Sequence, residues 1–164
     1  MKIPLLVPNL QGNEALYLKR CISDNWISSS GPLVSKFENK IANFVNQKYG
    51  VATVSGTSAL HLALLAAGVK PGDKVYIPYY TCDAVLEPIN VNNTIFEYYS
   101  IDENLNPDDI VIGENEYFYF INYFGIKAGI ISTLVKKYGK NLIVDNSQGF
   151  FEKEYKDIWS FNSA

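Results

Sequence analysis

The sequence predicts an α/β fold built on a mostly parallel sheet with helices on both faces. Two observations carry this. Short apolar runs rich in Val, Ile, Tyr and Phe recur along the chain. Between them lie stretches with helical spacing, and strands that alternate with helices form parallel sheets through crossover connections. A third observation sets the scale. The 164 residues fit one domain, and 48% apolar against 19% charged residues is enough to bury a core.

The elements follow in order. Residues 11–24 are expected to be helical. In VSKFENKIANFVNQK, residues 34–48, Val34, Phe37, Ile41, Phe44 and Val45 fall on one face of a 3.6-residue repeat, and Tyr49-Gly50 ends that helix. Val51 to Val54 is read as a short strand, Ser55-Gly56-Thr57 as a turn, and Ser58 to Ala67 as an apolar helix closed by Gly68. Pro71-Gly72-Asp73 is a turn before a strand from Lys74 to Pro78. A short helix is expected over Asp83 to Ile89, then strands over Thr94 to Tyr99 and Tyr117 to Asn122. A helix from Ala128 to Tyr138, a strand from Asn141 to Asp145 and a last strand from Asp157 to Phe161 complete the series.

Composition excludes some functions. A net charge of −3 and a pI near 5.1 leave no basic footprint for nucleic acid. His61 is the lone histidine, and Cys21 and Cys82 form no CxxC pair, so no metal site is expected. The two cysteines are expected to be reduced cytosolic thiols. The start MKIPLLVPNLQGNE has one Lys and an apolar run broken by prolines, which is not a secretory pattern. No run is long enough to span a membrane, so a cytoplasmic location is expected.

Ligands of parallel sheets bind at the carboxyl ends of the strands. In VSGTSALHLALL a strand runs through Ser-Gly-Thr-Ser straight into a helix. The first-turn N–H groups and the helix dipole suit an anion, Gly56 lets it approach, and Thr57 and Ser58 add hydroxyls. Simple N-capping by Ser55 or Thr57 is the alternative. In LIVDNSQGF, Asp145 ends an otherwise apolar strand and needs a partner: a cation, a helix terminus or a protonated ring nitrogen. Gln148 could face the same pocket. An ordinary N-cap is again the alternative. Together, a phosphate cradle and a later acid describe a site for pyridoxal 5'-phosphate, with Asp145 keeping the pyridine nitrogen protonated.

The stretch GPLVSKFENKIANFVNQKYGVATVSGTSALHLALLAAGVKPGDKVYIP resembles the DegT/DnrJ/EryC1/StrS family of PLP-dependent sugar aminotransferases. So do YYSIDENLNPDDI, VDNSQGF and WSFNSA, in the same order. The resemblance implies a PLP-dependent transferase fold type I large domain. It also implies that residues 1–33 form an N-terminal helix and substrate-side loop, and residues 34–164 the cofactor-binding part. Gly56, Thr57, Ser58 and Ser160 would contact the cofactor phosphate, Asp145 the pyridine nitrogen and Gln148 the ring's 3-hydroxyl. The loop NWISSSGP would supply Trp26, Ser28, Ser29 and Ser30 to the substrate. The family covers the ring with an aromatic where this chain has Cys82. Either Tyr80 stacks instead, or sulfur covers the ring, or affinity is weakened. His61 also has a counterpart in the family pattern, and is read as a core or supporting residue.

The family's chemistry needs a lysine that forms a Schiff base with the cofactor. By the resemblance it is expected one or two positions beyond Ala164. No lysine present matches, including Lys136, Lys137, Lys140, Lys153 and Lys156. The chain is therefore expected to be truncated before a seventh, antiparallel strand and a small C-terminal domain, leaving a gap beside Val51 to Val54, and to be inactive alone. The implied whole enzyme takes a nucleotide-linked keto sugar and an amino donor, glutamate, and is a homodimer. A sugar dehydratase with histidine for lysine, or a non-catalytic binding module, are the alternatives.

Overall fold

The computed structural model describes Ile3, residues 7–126, 128–150 and 158–163, without the side chain of Ala128. The helices are α1 Glu14–Ser23, α2 Pro32–Phe44, α3 Gly56–Ala67, α4 Leu86–Val91 and α5 Ala128–Tyr138. The strands are β1 Lys74–Pro78, β2 Ile95–Tyr99, β3 Glu116–Ile121, β4 Leu142–Asp145 and β5 Trp159–Phe161. They form one sheet in the order β2-β1-β3-β4-β5, and every pairing is parallel. The predicted class and nearly all predicted elements are present. Lys153, Lys156 and the start of the last predicted strand, Asp157, lie outside the described residues.

β1, β3 and β4 are buried almost throughout because both faces are covered. Alternation splits them. Val75, Ile77, Tyr117, Tyr119, Ile121, Ile143 and Phe161 pack with Leu60 and Leu64 of α3 and Ile89 of α4. Tyr76, Phe118, Phe120, Leu142 and Val144 pack with Ile131, Leu134 and Tyr138 of α5. The helix ends have local causes. Ser55 caps α3 by accepting from the Ser58 N–H at 3.1 Å, and Gly68 ends it in the left-handed region at φ 89°.

One predicted strand is absent. Residues 51–54 adopt no strand geometry, and no strand pairs with them among the described residues. Val51 and Val54 are 66% and 92% exposed. β propensity alone forms no ladder without a neighbour. The Ala52 N–H is instead taken up by Glu38 Oε1 at 3.0 Å.

At the amino ends of the strands, Lys74 on β1 pairs with Glu97 at 3.0 Å and Glu116 at 3.3 Å. The Gly113 N–H holds the Glu116 carboxyl below the usual 4.5; burial opposes it, and Lys74 and Tyr76 add smaller lowering effects. A depressed folded pKa contributes stability that is present above the ordinary value and lost as pH falls through the folded one. The Glu116→Gln variant should therefore lose stability near neutrality and show a shallower loss below about pH 4.5 in acid titrations followed by circular dichroism. An acid limb identical to the parent's would refute the assignment.

Candidate functional site

The sheet order creates a switch point. From β1 the chain steps outward to β2, then returns across to β3, β4 and β5. The connections leaving β1 and β3 diverge, and a crevice opens at their carboxyl ends. A cavity of about 510 Å³ lies there. It is lined by Gly56 and Thr57 from α3, Tyr80, Thr81 and Cys82 after β1, Tyr123 after β3, and Asp145, Ser147 and Gln148 after β4. Phe161 and Ser163 close it from β5.

Six of the eight cofactor residues expected from sequence are thus brought together: Gly56, Thr57, Tyr80, Cys82, Asp145 and Gln148. Ser58 and Ser160 are placed differently. The Ser58 N–H is committed to the Ser55 cap, and its hydroxyl lies 3.1 Å from Ser55 Oγ. The N–H groups of Gly56 and Thr57, which have no intrahelical acceptor, remain for an anion. Ser160 lines a second cavity and not the crevice. Phe161 takes the α3-facing position of β5, and alternation turns its neighbour Ser160 the other way.

Trp26, Ser28, Ser29 and Ser30 also stand apart from the crevice. Trp26 lines a small depression of about 50 Å³ with Arg20, Asp24 and Leu33. Its ring lies against Gly31, where a Cβ would approach it to 2.8 Å. Ser28 and Ser30 face each other at 3.5 Å.

Asp145 is fixed on two sides. Oδ1 accepts from the Ser147 N–H at 2.8 Å, and Oδ2 accepts from the Tyr119 hydroxyl at 2.6 Å. Burial, and then the Asp145 charge, push the Tyr119 phenol well above its ordinary value, so it remains the donor. Gln148 accepts from the Phe124 N–H at 2.8 Å through Oε1, which leaves its amide group to donate. Below the crevice, buried Asn122 donates to Asn146 at 3.0 Å. Gly149 packs so closely on this pair that a Cβ would sit 2.4 Å from the Asn122 amide.

The Tyr80 ring stacks on Tyr123 with centroids 5.5 Å apart, and the Tyr123 hydroxyl donates to the Tyr80 carbonyl at 2.5 Å. Both Tyr80 and Cys82 therefore border the cavity. Sequence reasoning missed Tyr119, Tyr123, Thr81, Ser147 and Ser163. The signal for Tyr119 was available: a tyrosine inside a buried strand needs a partner for its hydroxyl. His61 bonds to Asn92 Oδ1 at 3.0 Å through Nε2, away from the crevice.

The crevice fits pyridoxal phosphate in its donor set. Free N–H groups at a helix start suit a phosphate, and a carboxylate suits a pyridinium proton. Thr81 Oγ1 is buried here without a hydrogen-bond partner, as a hydroxyl awaiting a ligand would be. Both cysteines are free. Among the described residues, no three His, Cys, Asp or Glu side chains cluster as metal ligands, and no helix is long and apolar enough to cross a membrane.

A second cavity of about 490 Å³ runs between residues 51–55, α2, α3 and β5. It is lined by Phe37, Ile41, Val51, Val54, Leu62 and Trp159, among others. It lies at the sheet edge where the resemblance expects a further strand.

Comparison with known proteins agrees with the fold. The GDP-perosamine synthase of Vibrio cholerae is 41% identical over 87 residues, covering 53% of this chain and 24% of that protein. The solved structure of 3-amino-5-hydroxybenzoic acid synthase superposes with a TM-score of 0.82 at 20% identity, over 99% of this chain and 46% of that one. A Streptococcus pneumoniae protein described as a sugar aminotransferase, in its PLP form, superposes with a TM-score of 0.78 at 20% identity, over 90% of this chain and 43% of that one. The chain thus spans about a quarter of the curated relative's length and under half of the solved structures. The family profile of the DegT/DnrJ/EryC1/StrS aminotransferases matches residues 8–112. By that match the chain belongs to the DegT/DnrJ/EryC1/StrS aminotransferase family, whose cofactor is pyridoxal phosphate.

Proposed function

We propose that this chain is the cofactor-binding part of an aminotransferase that moves an amino group from glutamate to a nucleotide-linked keto sugar. The observation that carries the reading is the crevice. It sets the free start of α3 and the Asp145 carboxylate on one cavity. The substrate class draws support from the name of the Vibrio cholerae relative, a synthase of a GDP-linked sugar.

Bound pyridoxal phosphate would supply the electron sink that amino transfer requires. The chain's own residues have separate tasks. The N–H groups of Gly56 and Thr57, with the Thr57 and Thr81 hydroxyls, hold the phosphate. Asp145 keeps a proton on the pyridine nitrogen. The Gln148 amide donates to the ring's 3-hydroxyl. Tyr80 and Cys82 wall off one side, where an offset stack on Tyr80 would contribute roughly 0.5–1.5 kcal/mol. Ser58 and Ser160 belong to this proposal only after a local rearrangement. Trp26 and Ser28 to Ser30 belong to it through a contact outside this chain's own crevice.

The whole enzyme is proposed to be a cytoplasmic homodimer. α1 has no buried residue and exposes Leu16, Leu18 and Ile22, surface that a second copy would cover. Size-exclusion chromatography with light scattering tests this.

The activity test uses the protein of the full reading frame with pyridoxal phosphate, glutamate and a GDP-linked keto sugar. The expected result is formation of 2-oxoglutarate in step with the amino sugar. Absence of product with glutamate and a panel of keto sugars would sink the proposal. The reading frame past Ala164 adds a direct check. Lysine one or two positions on supports transamination, whereas histidine there supports a dehydratase.

A further inference from the structure

The Asp145 carboxylate is engaged before any ligand arrives, and the donor at Oδ2 is a buried phenol. Tyr119 sits inside β3 at 1% exposure. Its ring stacks on Phe161 with centroids 6.4 Å apart and planes 16° from parallel. Alternation puts it on the α3 side of the sheet with Tyr117 and Ile121. The register pairs Tyr119 with Ile143 and Ile121 with Asp145. The phenol therefore reaches diagonally along the sheet to meet a carboxylate at the end of the neighbouring strand. The ring has little freedom to turn away, because Phe161 holds one face and the strand holds its base.

The bond is 2.6 Å long, within the usual range for a hydroxyl donating to a charged carboxylate. It fixes the rotation of the Asp145 carboxylate. Ser147 holds the other oxygen at 2.8 Å, so the carboxylate has a defined plane.

We propose that Tyr119 is a positioning residue that fixes the plane of the Asp145 carboxylate toward a pyridine nitrogen bound in the crevice. This rests on the cofactor reading above. Tyr119 touches no cofactor atom in this scheme and acts through Asp145. Its consequence is a carboxylate already aimed when the cofactor arrives, so that less freedom is lost on binding.

The test compares the parent protein with Tyr119→Phe, each titrated with pyridoxal phosphate labelled with ¹⁵N in the ring. Tyr119→Phe keeps the ring and its stack, and near-ultraviolet circular dichroism follows that packing. The expected result is about three- to tenfold weaker binding, the size of one modest hydrogen bond. The pyridine ¹⁵N resonance should also move toward its unprotonated value, as a carboxylate free to rotate holds the ring proton less well. In an Asp145→Asn background the same Tyr119→Phe change should alter neither reading, since coupled residues show non-additive effects. A folded Tyr119→Phe variant with unchanged affinity and resonance overturns the inference, as does an equal effect in the Asp145→Asn background. If Tyr119→Phe does not fold, 3-fluorotyrosine at this position makes the phenol a stronger donor. It should then tighten binding and move the resonance the other way, and no movement overturns the inference. If the parent itself binds no pyridoxal phosphate, the cofactor reading fails first, which the parent titration alone reveals.

Discussion

Replacing Asp145 with alanine is expected to raise the dissociation constant for pyridoxal phosphate by about 10- to 100-fold. That range follows from one hydrogen bond to a charged group, about 1.5–3 kcal/mol, at about 1.4 kcal/mol per factor of ten. Cofactor fluorescence or equilibrium dialysis measures it. The substitution has a second effect that the geometry separates from the first. It strips the buried Tyr119 hydroxyl of its acceptor at 2.6 Å, and an orphaned buried donor costs about 1–3 kcal/mol of stability. Asp145→Asn divides the two effects. The amide oxygen can still accept from Tyr119, so stability is largely kept. An uncharged amide cannot hold a pyridinium proton, so affinity falls as it does in the alanine variant. Unchanged affinity in both variants would mean that the crevice does not bind the cofactor through its ring nitrogen.

The second large effect lies on the opposite face of the sheet. Phe118 is fully buried and sits between two aromatic rings, Tyr99 at 4.7 Å and Tyr138 at 4.4 Å. Phe118→Ala is expected to cost about 3–5 kcal/mol, from lost transfer energy plus a cavity that flanking strands cannot close. Whole domains are stable by only about 5–15 kcal/mol, so this loss takes a large share of the total. Urea denaturation followed by tyrosine fluorescence reads the change in midpoint. Phe118→Leu, which keeps more volume, should lose less. A cost under about 1 kcal/mol for the alanine variant would refute the view that this triple stack anchors the sheet.

Much of the architecture was legible in the sequence, for physical reasons that differ by element. β3 and β4 were readable because strands covered on both faces must be apolar throughout. α3 was readable from its cap and its closing glycine. Residues 51–54 looked equally strand-like, yet a strand is defined by its partner, and none is adjacent among the described residues. The crevice was readable as a set of strand ends, since sheet topology dictates where those ends converge. Its individual contacts were harder. Whether the Ser58 N–H faces a ligand or the Ser55 side chain turns on a competition within one helical turn. Whether Ser160 or Phe161 faces α3 depends on strand parity, which a one-residue shift reverses. The Tyr119–Asp145 bond joins residues far apart in sequence, and only the register of β3 against β4 brings them together.

The crevice draws its walls from α3 and from β4 and β5, elements that lie far apart in the sequence. Parallel pairing of this kind is non-local, and chains rich in non-local contacts close slowly because loop entropy is lost before contacts compensate. The cofactor's affinity is therefore expected to emerge only late in folding, once the sheet is complete from β1 to β5. A ligand that recognises the finished sheet and not its precursors stabilises it by mass action, and at a hundredfold excess over the dissociation constant this adds about 2.7 kcal/mol. The crevice would then act as a checkpoint on assembly, with cofactor capture reporting that distant parts of the chain have met.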